Sequence, residues 1–165
     1  MTDASQFAEK PRMHLVARDN EDLTVLSALM QDSLFKATDI AFDKQRRLFA
    51  MIGNRYCWEL DADAAQMRAR AGMHFSSVRD IRQRGFVRDT KQILSLLAIA
   101  FEPSEKPDDL PGGEVSLTFS AGVEIRLTVE ALDVVMQDVS GRWPVAKRPK
   151  HDAQSQDESA AHKKD

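Results

Sequence analysis

Two runs of alternating apolar and polar residues, joined by three turn residues, constrain this chain most. Val115, Leu117 and Phe119 alternate with Glu114, Ser116 and Thr118. After Ser120-Ala121-Gly122, the residues Val123, Ile125, Leu127 and Val129 alternate with Glu124, Arg126 and Thr128. A period of two sends successive side chains to opposite faces of a strand. The segment therefore reads as an antiparallel hairpin with one face on a core and the other in water. One hairpin cannot bury its apolar face alone, so the rest of the chain has to cover it.

Several other segments read as strands. Met13–Ala17 is a short apolar run. Leu34–Phe42 and Arg47–Glu59, joined by the polar turn Asp43–Arg46, read as a second hairpin, with Gly53-Asn54 marking a bulge or a second tight turn. Met67–Ala71 is a short strand after an Ala-rich linker at Asp61–Gln66, and Met73–Phe86 is assigned to one further strand. Asp89–Gln92 suggests a turn of helix, and a buried strand follows from about Ser95 to Phe101. The loop after Pro103 is rich in Pro, Gly and acid. Glu130–Val139 matches both periods and is assigned to a strand, because an extended run feeds it without a Gly or Pro stop. One helix stands out. Asp19 and Asn20 supply caps, Glu21 and Asp22 sit where the helix dipole favours acids, and Leu23, Leu26, Leu29 and Met30 recur at helical spacing.

These elements predict an α+β protein that is mainly antiparallel β. The expected form is a curved sheet or small, partly open barrel of seven or eight short strands, with the N-terminal helix packed on it. No succession of βαβ units is present, which argues against a doubly wound nucleotide-binding sheet. Residues 1–11 and 144–165 carry little that a core would take up and are expected to be disordered ends. They leave a single globular domain over 12–143. A single cysteine among 165 residues excludes an internal disulfide framework. No run of 18 apolar residues exists, so no membrane span is expected, and the first residues lack the apolar core of a secretory signal. The composition fits a soluble cytoplasmic protein.

The residues His14-Leu15-Val16-Ala17-Arg18-Asp19, Glu21-Asp22-Leu23, Leu26-Ser27-Ala28-Leu29 and Gln31-Asp32 carry a family likeness. So do Asn54-Arg55-Tyr56-Cys57-Trp58-Glu59, Leu94-Ser95-Leu96-Leu97-Ala98-Ile99 and Gly141-Arg142-Trp143. With them the chain resembles an alphaproteobacterial family, the domain of unknown function numbered 2948, over about residues 13–150. The resemblance implies a bacterial cytoplasmic protein and carries no catalytic residue with it.

The candidate chemistry is sparse. Cys57 lies between Tyr56 and Trp58. Arg55, two residues earlier on the same face, would favour its thiolate, while a small core residue is the plainer reading. His14, His74, His151 and His162 form no ligand pair, so no metal site is expected, and no motif calls for a cofactor. The strongest signal is electrostatic. Residues 66–92 hold Arg68, Arg70, Arg79, Arg82, Arg84, Arg88 and Lys91 against Asp80 and Asp89, a local charge of +5. Residues 112–145 stand at −3. Arginines in this density suit bidentate contact with carboxylate or phosphate, and Phe75 and Phe86 would add stacking if exposed.

The sequence therefore points to a non-enzymatic binding or protein-interaction module, with an acidic protein or anionic ligand meeting the face formed by residues 66–92. An alternative is a small enzyme acting on an anionic metabolite, with Asp39, His74 or Cys57 moving protons or attacking. RNA binding is a third reading, and the acidic net charge of −3 weighs against it.

Overall fold

The computed structural model describes residues 12–60, 65–87 and 90–149. Within them lie nine strands and one α-helix: β1 (His14–Ala17), α1 (Asn20–Met30), β2 (Leu34–Asp43), β3 (Leu48–Tyr56), β4 (Met67–Phe75), β5 (Val78–Arg84), β6 (Ile93–Pro103), β7 (Gly113–Phe119), β8 (Glu124–Val129) and β9 (Val134–Pro144). They form one antiparallel sheet in the order β1-β9-β4-β3-β2-β6-β7-β8-β5. The sheet does not close on itself, so β1 and β5 are its two edges.

The β7–β8 hairpin shows how pattern becomes packing. Val115, Leu117, Phe119, Ile125, Leu127 and Val129 are buried, while Glu114, Ser116, Thr118 and Arg126 stay on the solvent side. The joining turn holds Ala121 and Gly122 at φ 61° and 72°. The inward faces of β2, β3, β4 and β9 meet this layer in one core containing Phe35, Phe49, Met51, Met73, Phe75, Val134 and Met136. Helix α1 starts at Asp19, whose side chain accepts the Asp22 N–H at 2.8 Å. It buries Leu23, Leu26 and Met30. Ser27 Oγ accepts the Ile99 N–H at 3.0 Å and fastens the helix to β6.

Several boundaries differ from the sequence reading, each for a local reason. The expected break between Met67–Ala71 and Met73–Phe86 falls instead at Ser76-Ser77, where Ser77 stands at φ 57° and the chain bends from β4, paired with β9, into β5, paired with β8. The sheet has nine strands among the described residues, against an expected seven or eight. Gly53-Asn54 does not turn the chain. Gly53 lies inside β3 opposite Phe35, whose ring occupies the space a Cβ would need. The ambiguous run near 130–140 is a strand from Val134 that continues to Pro144. Beyond β9, the Val145 N–H bonds the Gln66 carbonyl at 2.8 Å, and the Arg148 guanidinium stands 5.1 Å over the Trp58 ring. Residues 1–11 and 150–165 lie outside the described residues, as do Asp61 and Asp63 of the expected linker.

Candidate functional site

The outer face of β5, β7 and β8 is a ladder of arginines and glutamates. Arg82 on β5 stands opposite Arg126 on β8, two like charges bridged by Glu114 of β7, which bonds both. Arg126 also donates to Glu124 at 2.9 Å, and Arg84 reaches the same carboxylate at 3.2 Å. The hydrogen bond and charge of Glu124 hold the Arg126 guanidinium above its ordinary pKa. Glu130 receives Arg79 at 3.2 Å and also bonds Arg47, which comes from the β2–β3 turn. The depths of the two signs differ. Arg82 and Arg84 are 64% and 77% exposed at the side chain, whereas Glu114 and Glu124 are 29% and 17% exposed. The carboxylates lie low and the guanidiniums project outermost. Next to this ladder, Glu102, Glu105, Asp109, Glu114, Glu130 and Arg79 line a hollow of about 370 Å³, so the face grades from arginine at its β5 edge to carboxylate at β6–β7.

The other sequence candidates do not join this ladder. Arg68 on β4 is half-buried, donates to the Asn54 carbonyl at 3.1 Å and stands 5.9 Å from the Tyr56 ring centroid. Burial lowers its pKa. Arg70 is exposed on β4 and reaches Asp39 at 3.8 Å. Arg88 lies outside the described residues. Phe75 is buried with its ring 5.8 Å from that of Phe49, so it offers no stacking surface, and Phe86 packs half-buried against the core.

The enzyme candidates are kept apart. Cys57 is 2% exposed and packs with Met67 and Ala69. Burial pushes its thiol up, and Arg55 and Arg142 only partly offset this. His74 borders a largely apolar hollow of about 220 Å³ with Ile52, Val135 and Val139, in which no arginine or carboxylate takes part. His14 is exposed on β1, and His151 and His162 lie outside the described residues. No group of three or more metal-ligating His, Cys, Asp or Glu side chains occurs among the described residues.

Sequence reasoning missed the most buried charge. Arg55 is fully buried on β3 and is held on two sides. Its Nε and Nη2 donate to Asp138 at 2.7 and 2.8 Å, and its Nη2 and Nη1 donate to Glu59 at 2.7 and 2.9 Å. Arg142 adds a bond to Glu59 at 3.3 Å. Burial by itself would lower the Arg55 pKa, but the two carboxylates hold it above its ordinary value. Burial by itself would raise Glu59, but its bonds to Arg55 hold it below the usual carboxylate range. A guanidinium taken out of water is tolerable only with such complete pairing. A signal was present in the sequence. Phe49, Met51, Gly53 and Arg55 share one strand phase, so the arginine sits where the alternation calls for an apolar residue.

The arrangement defines an open antiparallel β-sheet protein with a pinned buried arginine and an arginine-topped outer face. The chain belongs to the family described as protein of unknown function (DUF2948), whose sequence model matches residues 13–151. Segments quoted above for the resemblance meet in space here. Asn54–Glu59 and Arg142 build the buried network, and the Trp58 indole donates to the Gln31 carbonyl at 2.8 Å. No curated protein and no solved structure matches the chain. No helix among the described residues is long and apolar enough to cross a membrane.

Proposed function

We propose that this protein is a non-enzymatic binding module that engages an acidic partner protein through the arginine-topped face of β5 and β8. The observation that carries this reading is the difference in depth between the two signs on that face, with Arg82 and Arg84 far more exposed than Glu114 and Glu124. A guanidinium has five N–H donors, and a few internal bonds leave most of them for a partner's carboxylates. Exposed ion pairs of this kind are worth about 0–1 kcal/mol, so a partner can exchange its own acids for them at little cost. Burial of Cys57 and the lack of any arginine or carboxylate around the hollow beside His74 take support from the enzymatic alternative.

The test is affinity capture from the native cell with wild-type protein and with the triple variant Arg79→Glu, Arg82→Glu, Arg84→Glu. Circular dichroism serves to confirm that both fold. The expected result is loss of the captured partners from the variant, and weakening of wild-type capture by salt. Retention of every partner by the variant overturns the assignment.

A further inference from the structure

The free edge of β5 faces a gap in the sheet. β6 pairs with β2 only through Leu34–Lys36, so the rest of β2 has no strand on that side. β5 pairs with β8 on one side and ends the sheet order on the other. Between the two lies a mainly apolar hollow of about 140 Å³, bordered by Ile40, Phe42, Phe49, Ile81, Phe86 and Ile125, with Ala41 and Gln83 at its rim. One end of the gap is fixed where the Val78 N–H bonds the Arg47 carbonyl at 2.9 Å. Beyond that bond, no backbone hydrogen bond joins β5 to β2 or β3 among the described residues.

We propose that this edge takes up an extended segment of an acidic partner protein as an added strand, with acidic and apolar residues alternating along it. The proposal rests on the binding-module reading above and names how the partner is held. Along β5, Ile81 and Gln83 face the hollow, while Asp80, Arg82 and Arg84 share the outer face. A strand laid against β5 has the same alternation, so its inward residues meet the hollow and its outward residues meet Arg82 and Arg84. The hollow has room for about one apolar side chain. Both rims are cationic. β5 carries three arginines against Asp80, and residues 43–47 carry Lys44, Arg46 and Arg47 against Asp43. Main-chain bonds to an open edge supply affinity in this mode of recognition, and alternate side chains supply selectivity. The same arginines disfavour a second copy of this chain as occupant, because two β5 edges would bring six like charges together.

The probe is a fluorescein-labelled octapeptide, Glu-Ser-Glu-Val-Glu-Val-Glu-Ser, with two relatives N-methylated either at both valines or at the three inner residues between and flanking them. Only one set of amides in a strand faces a given neighbour. The parent peptide is expected to bind full-length protein at low salt, with one methylated form at least tenfold weaker and the other close to the parent. Hydrogen exchange at Arg79–Arg84 is expected to slow on binding. Ala41→Phe, an exposed position at the rim, is expected to weaken the parent about tenfold without loss of folding. Equal binding by all three peptides, unchanged exchange in β5, or no binding by the parent overturns the strand proposal. If the Arg79/Arg82/Arg84 variant still loses its captured partners in that case, the arginine face stands and only the added strand falls. A concentration-dependent dimer that protects the β5 amides would assign the edge to a second copy and also overturn it.

Discussion

Arg55 on β3 and Asp138 on β9 form a bidentate ion pair across the strand that separates them. The side chain passes over β4 where that strand presents Ala69 and Ala71, both fully buried, opposite Arg55 and Asp138 respectively. Two alanines on the same face leave the space a long guanidinium needs. The pair thereby ties β3 to β9 across β4.

Removing one partner should cost far more than removing both. Asp138→Ala leaves a buried guanidinium half paired, and is expected to destabilise the fold by about 3–5 kcal/mol. Arg55→Met combined with Asp138→Leu replaces the charges with apolar volume and is expected to cost less than the single Asp138→Ala change. A double-mutant cycle by urea unfolding, with Arg55→Met and Asp138→Leu singly and together, measures the coupling. Additive effects would show that the pair contributes no coupling energy.

Glu59 sets a pH dependence with a defined sign. Its folded pKa lies below the ordinary carboxylate value, because Arg55 and Arg142 bind the ionised form. The unfolded group titrates near 4.3. Its contribution is therefore fully present above about pH 4.3 and is lost as pH falls through the depressed folded value. Glu59→Gln should be less stable than wild type at pH 6, and the gap should narrow steadily below pH 4. Unfolding free energies measured across pH 3–6 for both proteins check this, and parallel curves would contradict it.

Gly53 should tolerate no side chain. A Cβ there would run into the Leu34 carbonyl oxygen and the Phe35 ring, both on the neighbouring strand. Gly53→Ala is expected to cost about 1–3 kcal/mol by overpacking. Adding Phe35→Leu should recover part of that loss, since a smaller side chain frees the contested space. Thermal unfolding of the two single variants and the double variant decides it, and independent losses would show that the ring is not the obstacle.

The fold was legible where one short-range signal decided the outcome. The β7–β8 hairpin, the Asp19-capped helix and the β2–β3 hairpin each follow from alternation, capping or turn residues close in sequence. Residues 73–86 misled because their apolar residues, Phe75, Val78, Ile81 and Phe86, continue past a bend carried by two serines with no Gly or Pro to mark it. Gly53 was half legible: the β2–β3 register is irregular beside it, between Phe35 and Ile40, but the chain does not turn there and the close approach that excludes a side chain comes from another strand. The site divides the same way. The cationic density of residues 66–92 was visible in the sequence, but Arg68 is half-buried against Asn54 and the Tyr56 ring on β4, while Arg79, Arg82 and Arg84 are exposed on β5. The glutamates beneath them come from β7, β8 and the residue after β8, a pairing that only strand order creates. Arg55 stood out as a charge in the apolar phase of β3, yet its acids come from Glu59 and from Asp138, 83 residues away.

Cys57 provides the last test, since its reactivity separates a packing role from a chemical one. A nucleophilic cysteine needs a thiolate and a path for its electrophile. Here burial pushes the thiol up, and the side chain packs against Met67 and Ala69 with almost no exposed surface. Iodoacetamide at pH 8 should therefore label the native protein more than tenfold more slowly than the urea-unfolded chain, at a rate set by opening of the fold. Because the folded pKa is raised, deprotonation opposes folding. The contribution of the neutral thiol is full below its unfolded pKa of about 8.5 and is lost as pH rises through the folded value. Cys57→Ala should consequently flatten the loss of stability above pH 9 while leaving capture of an acidic partner unchanged. Native labelling as fast as the unfolded chain, or loss of capture in a folded Cys57→Ala variant, would move this residue from the core to the chemistry.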